Sequence, residues 1–80
     1  MDPRLQQIQR RLEDSYTITR TQYTRGTLLA WDRDHPTEYK ISEQGDTLEL
    51  READSVGGGT HGGYEFTDPD KLASFITSDR

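Results

Sequence analysis

Apolar positions fall at helical spacing near both ends of the chain and at alternate residues in between. Leu5, Ile8 and Leu12 stand at i, i+3 and i+7 behind Asp2-Pro3, an acidic cap followed by a proline whose missing N–H costs nothing at a first helical position. The spacing predicts a helix over residues 3–13, with Gln6, Gln7, Gln9, Arg10 and Arg11 on its wet side. It should end where Glu13 and Asp14 oppose the helix dipole. From Ser15 the period drops to two. Residues 16–23 are rich in β-branched and aromatic side chains and read as a strand, Arg25-Gly26 marks a turn, and residues 27–31 return as the hairpin partner with Leu29 and Trp31 sharing a face. After a break at residues 33–36, Tyr39 and Ile41 alternate over 37–41. Beyond the polar turn Glu43-Gln44-Gly45-Asp46, Leu48 and Leu50 alternate with charges over 47–51. Residues 52–63 hold five glycines and read as a mobile loop. Residues 64–66 read as a short last strand. Thr67 to Asp70 has capping-box spacing and repeats the cap-and-proline pattern, ahead of a helix over 69–78 with Leu72, Phe75 and Ile76 on its apolar face.

This order predicts an α+β fold, a two-layer sandwich in which an antiparallel four- to five-stranded sheet carries the N- and C-terminal helices on one face, as a single domain spanning 1–80 (α-β-β-β-β-(β)-α). The expected core is Leu5, Ile8, Leu12, Ile18, Leu29, Trp31, Tyr39, Ile41, Leu48, Leu50, Phe66, Leu72, Phe75 and Ile76.

Composition narrows the function classes. Eighty residues leave no room for a substrate domain beside a cofactor domain. No apolar run is long enough to span a membrane or form a secretory signal, so a cytoplasmic location is expected. The absence of cysteine removes disulfides, thiolate zinc sites and cysteine nucleophiles together. Leu, Ile, Val and Phe total only 14, a level at which disorder competes, and it is the consistent patterning and capping that argue for a fold. A core this small leaves roughly 3–5 kcal/mol of net stability, so a homodimer or another partner is an expected source of support.

Charge is unevenly spread. The chain carries -5 overall. Residues 1–25 carry five arginines against three acids (+2), and residues 26–80 carry five bases against twelve acids (-7). With eight arginines and two lysines, and many Asp and Thr, the composition resembles that of haloarchaeal proteins. Arg codons replacing Lys codons in a GC-rich genome account for it equally well.

Few residues carry the pattern of a known chemistry. Residues 57–62 match G-x-G-x-x-G formally, but a strand rather than a helix is expected next, so a dinucleotide site is not. Asp32, Asp34 and His35, with Glu38 nearby, are the densest set of metal-ligand residue types. Their spacing lacks the glycine and terminal Glu of an EF-hand loop, and Asp-His-Pro is also ordinary turn chemistry. No Ser or Thr sits in a nucleophile context, and no cofactor is implied. Arg4, Arg10, Arg11, Arg20 and Arg25 with Tyr23 make a weak basic patch beside a strongly acidic remainder, so direct nucleic-acid binding is not expected.

The acids Asp32, Asp34, Glu38, Glu43, Asp46, Glu49, Glu52, Asp54 and Glu65 are expected on loops and on the wet sheet face, where they would attract a partner with a basic surface. Four tyrosines and one tryptophan exceed what so small a core needs, and those left outside would anchor an interface. The expectation is a non-catalytic protein-interaction or regulatory module, with Tyr23, Glu38, Glu49 and Glu52 as partner-binding residues. The alternatives are an acidic nucleic-acid mimic and a small metal- or ligand-binding domain around Asp32, Asp34 and His35.

In size, acidity and element order, and in the strand-to-turn segment Glu38-Tyr39-Lys40-Ile41-Ser42-Glu43, the chain resembles phage- and archaeal-virus-encoded inhibitors of the anti-CRISPR kind. That resemblance implies an inhibitor occupying a basic groove and assigns no role to any single residue.

Overall fold

The computed structural model describes residues 1–54 and 60–78. Its elements are α1 (Pro3–Glu13), β1 (Ile18–Thr24), β2 (Thr27–Asp32), β3 (Thr37–Gln44), β4 (Thr47–Asp54), β5 (Thr60–Phe66) and α2 (Pro69–Ser78). The strands form one antiparallel meander in the order β1-β2-β3-β4-β5. Both helices lie on the same face and pack against each other, α1 across β1 to β3 and α2 beside β5. This is the expected two-layer α+β sandwich, with five strands.

Local chemistry sets the corners. Asp2 accepts the Arg4 backbone N–H at 2.7 Å, capping α1 ahead of Pro3. Asp68, rather than Thr67, does the same for α2 by accepting the Asp70 N–H at 2.9 Å. The β1–β2 turn has positive φ at both Arg25 (51°) and Gly26 (80°), the mirror-image turn whose twist suits a two-residue hairpin. In the β3–β4 turn Gly45 takes φ of 64°.

The core lies between sheet and helices. Leu5, Ile8 and Leu12 of α1 and Leu72, Ala73 and Ile76 of α2 close over Ile18, Leu28, Ala30, Tyr39, Ile41, Leu48 and Leu50. Tyr23, Phe66 and Phe75 pack half-buried at its rim.

Three expectations need correction. Strand β2 presents Leu28 and Ala30 to the helices, so Leu29 and Trp31 lie on the other face and are only half-buried. The short Ala30 is the in-register neighbour of Tyr39, the bulkiest of the fully buried side chains, and leaves room for it. Second, a bulge between Ile18 and Arg20 shifts the alternation of β1, which places Tyr23 on the covered face with Ile18. Third, of the loop expected at 52–63, residues 52–54 belong to β4 and 60–63 to β5, while residues 55–59 lie outside the described residues.

Candidate interaction surface

Among the described residues no helix covers the second face of the sheet. Side chains in register across an antiparallel ladder share a face, so the partners of Trp31 and Leu29 define its occupants. One row runs Arg20, Trp31, Glu38, Ala53; the next Gln22, Leu29, Lys40, Arg51, Gly63; a third Thr24, Thr27, Ser42, Glu49, Glu65. The apolar feature of this face is the Leu29–Trp31 pair on β2. The Arg20 guanidinium lies over the indole, 3.9 Å from the ring centroid, which orders both side chains without burying them. Lys40 is 3.9 Å from Glu38 and Arg51 is 3.2 Å from Glu49. Among the described residues of these rows, three bases (Arg20, Lys40, Arg51) stand with three acids (Glu38, Glu49, Glu65), so their charges balance.

The four residues expected to bind a partner do not converge. Glu38 and Glu49 are on the helix-free face. Glu52 is in register with Tyr39 on the helix side and only 8% exposed, and Tyr23 packs against the core there. Asp32 and Glu43 also fall in helix-side rows, opposite Ile18 and Leu48. The residues that complete the face but were not expected to act there are Arg20, Trp31, Lys40 and Arg51. Their sequence signal was the alternation of Lys40 and Arg51 with core positions, and the presence of the chain's one tryptophan on a strand.

Asp32 is a turn-former. Its side chain is 4% exposed; Oδ1 accepts the backbone N–H groups of Asp34 (2.8 Å) and His35 (3.0 Å) and lies 3.3 Å from His35 Nδ1, while Oδ2 accepts the Tyr39 hydroxyl at 3.2 Å. Burial alone would raise its pKa, but these donors outweigh burial and hold the carboxyl below its ordinary range. The Asp34 and His35 side chains do not join it into a cage. Among the described residues no three His, Asp or Glu side chains gather as metal ligands.

The expected basic patch is also dispersed. Arg4 binds Asp2 (3.2 Å), Glu43 (3.4 Å) and the Gly45 carbonyl (3.1 Å), fastening the start of α1 to the β3–β4 turn. The Arg4 hydrogen bond holds Asp2 well below the carboxylate range, and the hydrogen bond and charge of Asp2 push Glu43 up. Arg11 binds Asp70 (3.0 Å) and Ser74 (3.1 Å), joining the helices. An open groove of about 520 Å³ beside this contact, lined by Gln6, Gln7, Arg10 and Asp14 among others, mixes both signs of charge. Tyr16 is 77% exposed beneath the Arg33 guanidinium, which lies 4.5 Å from its ring centroid.

No protein-family model matches the chain, and neither a curated protein nor a solved structure matches it significantly. No helix among the described residues is long and apolar enough to cross a membrane.

Proposed function

We propose that this chain is a small protein-interaction module, without chemistry of its own, that docks a protein partner on the helix-free face of its sheet. The carrying observation is the Leu29–Trp31 pair, held half-buried on β2, one strand in from the sheet edge, on a face that no helix among the described residues covers, with Arg20 stacked on the indole. Trp and Arg are the side chains that most often dominate binding energy, and a rim of paired charges supplies register rather than affinity. The balance of charge on this face favours a partner of mixed polarity over a uniformly basic groove, so it supports docking more than nucleic-acid mimicry.

The test is a photo-cross-linking amino acid placed at Gln22 on this face or at Arg10 on α1, expressed in the source cells. Protein adducts from position 22 and none from position 10 are expected. Adducts from position 10 alone would move the docking surface to the helices and overturn the reading.

A further inference from the structure

We propose, resting on the docking reading above, that the partner fitting this face is an extended protein segment that lies across the strands and presents an apolar side chain, a carboxylate and a cation at alternate residues. Two like-charged pairs point to it. Lys40 and Arg51 stand directly opposite each other on the neighbouring strands β3 and β4, and Glu49 and Glu65 do so on β4 and β5, two residues along and on the same face. Like charges directly opposite each other destabilise a sheet. In the free chain the two bases are relieved only at the surface, Lys40 by Glu38 at 3.9 Å and Arg51 by Glu49 at 3.2 Å, and their side chains stay 49% and 57% exposed. Exposed ion pairs of this kind are worth little, so the charges of a partner can displace them.

Spacing sets the order of the three groups. Leu29, Lys40, Arg51 and Gly63 form one cross-strand row over β2 to β5. With strands about 4.8 Å apart, the gap between Lys40 and Arg51 lies about 7 Å from Leu29, and Gly63 about 14 Å from it. Side chains two and four residues on in an extended segment stand at nearly the same distances, about 7 and about 13 Å. An apolar side chain seated on Leu29 and Trp31 therefore carries the next same-face residue between the two bases, where a carboxylate accepts charge-assisted hydrogen bonds from both. The residue after that comes over Gly63, which adds no side chain to the row and leaves a long cation room to reach Glu49 and Glu65.

Random peptides displayed on phage are panned against the full chain, and the most enriched peptide is synthesised with a dye so that fluorescence anisotropy reads its binding. Enriched sequences should share an aromatic residue or leucine, an acid two residues away and a Lys or Arg two beyond that. Lys40→Gln, Arg51→Gln and replacement of the peptide's acid by its amide should each weaken binding about tenfold. Either protein change combined with the peptide change should cost little more than one alone, because both remove the same contact. Neither protein change should lower the melting temperature, since each takes a like charge out of the row. Panning that enriches no shared pattern, binding indifferent to Lys40 and Arg51, or a fall in both melting temperatures overturns the proposal. If it is overturned while Trp31→Ala still abolishes peptide binding or the position-22 cross-linker still captures a protein, the charge pattern fails and docking stands. Peptides that bind independently of Leu29 and Trp31 as well as of the two bases overturn both readings. A thymidine oligonucleotide that binds this face where no peptide does overturns both in favour of nucleic acid.

Discussion

Leu28 and Leu29 are chemically identical neighbours that the sheet assigns to opposite environments, and truncating each in turn tests the face assignment on which the docking reading depends. Leu28 is fully buried beneath the helices, in register with Ile41. Leu28→Ala removes its side chain from a closed core, a change that costs about 2.7–5 kcal/mol where the surroundings cannot collapse. Leu29 is half-exposed on the helix-free face, so its truncation opens no cavity and forfeits only part of a transfer energy, about 1 kcal/mol or less. For a domain of this length, 1 kcal/mol shifts the melting temperature by about 4–8 °C. Leu28→Ala should therefore lower it by about 10 °C or more, and Leu29→Ala by no more than about 8 °C. Thermal unfolding followed by far-ultraviolet circular dichroism reads both. Equal losses, or the larger loss at Leu29, would mean that β2 faces the other way and that Trp31 is a core residue.

Three further substitutions test the turns and the carboxylates. Asp32→Asn keeps the turn's acceptor but weakens bonds made to a charge. It should cost about 1–2 kcal/mol at pH 7, and because the Asp32 pKa is lowered, the difference should vanish as pH falls through that value in urea titrations. Glu43→Gln should raise the melting temperature at pH 7, where an ionised Glu43 is disfavoured by Asp2. It should leave the melting temperature unchanged near pH 3, where Glu43 is already protonated; a loss at pH 7 would show that the Arg4 contact dominates instead. Arg25→Asn should stabilise the β1–β2 hairpin by about 0.5–1 kcal/mol, since Asn accepts a positive φ that Arg adopts under strain; no gain by calorimetry would contradict the turn geometry.

Much of the fold was legible because each signal was local. Asp-Pro at residues 2–3 and 68–69 begins both helices, and Arg25-Gly26 and Gly45-Asp46 make the two-residue turns of the β1–β2 and β3–β4 hairpins. The site was less legible because it depends on parity. Residues 28–31, Leu-Leu-Ala-Trp, place an apolar residue on either face, and alternation cannot choose between the registers; the choice comes from the tertiary contact in which Ala30 makes space for Tyr39. Nothing local in Thr17-Ile18-Thr19-Arg20 announces the bulge that sends Tyr23 inward and Arg20 outward. The early part of β5 was hidden by Gly62 and Gly63, whose low strand propensity is overridden by pairing with Glu52 and Arg51. Glu52 was expected among exposed acids because it reads as the first residue of the 52–63 loop, yet β4 continues through it and its ladder position opposite Tyr39 turns it inward.

The most direct test of the central claim follows Trp31 itself. As the chain's one tryptophan, labelled as 5-fluorotryptophan, it gives a single ¹⁹F signal readable in crude extract of the source organism and over a range of protein concentrations. Docking on the helix-free face predicts that this signal shifts and broadens as a protein partner covers the indole, and that Leu29→Ala weakens the effect. A Trp31 signal that stays at its free position while fluorotyrosine labels at Tyr16 or Tyr64 move would place binding elsewhere and contradict the account.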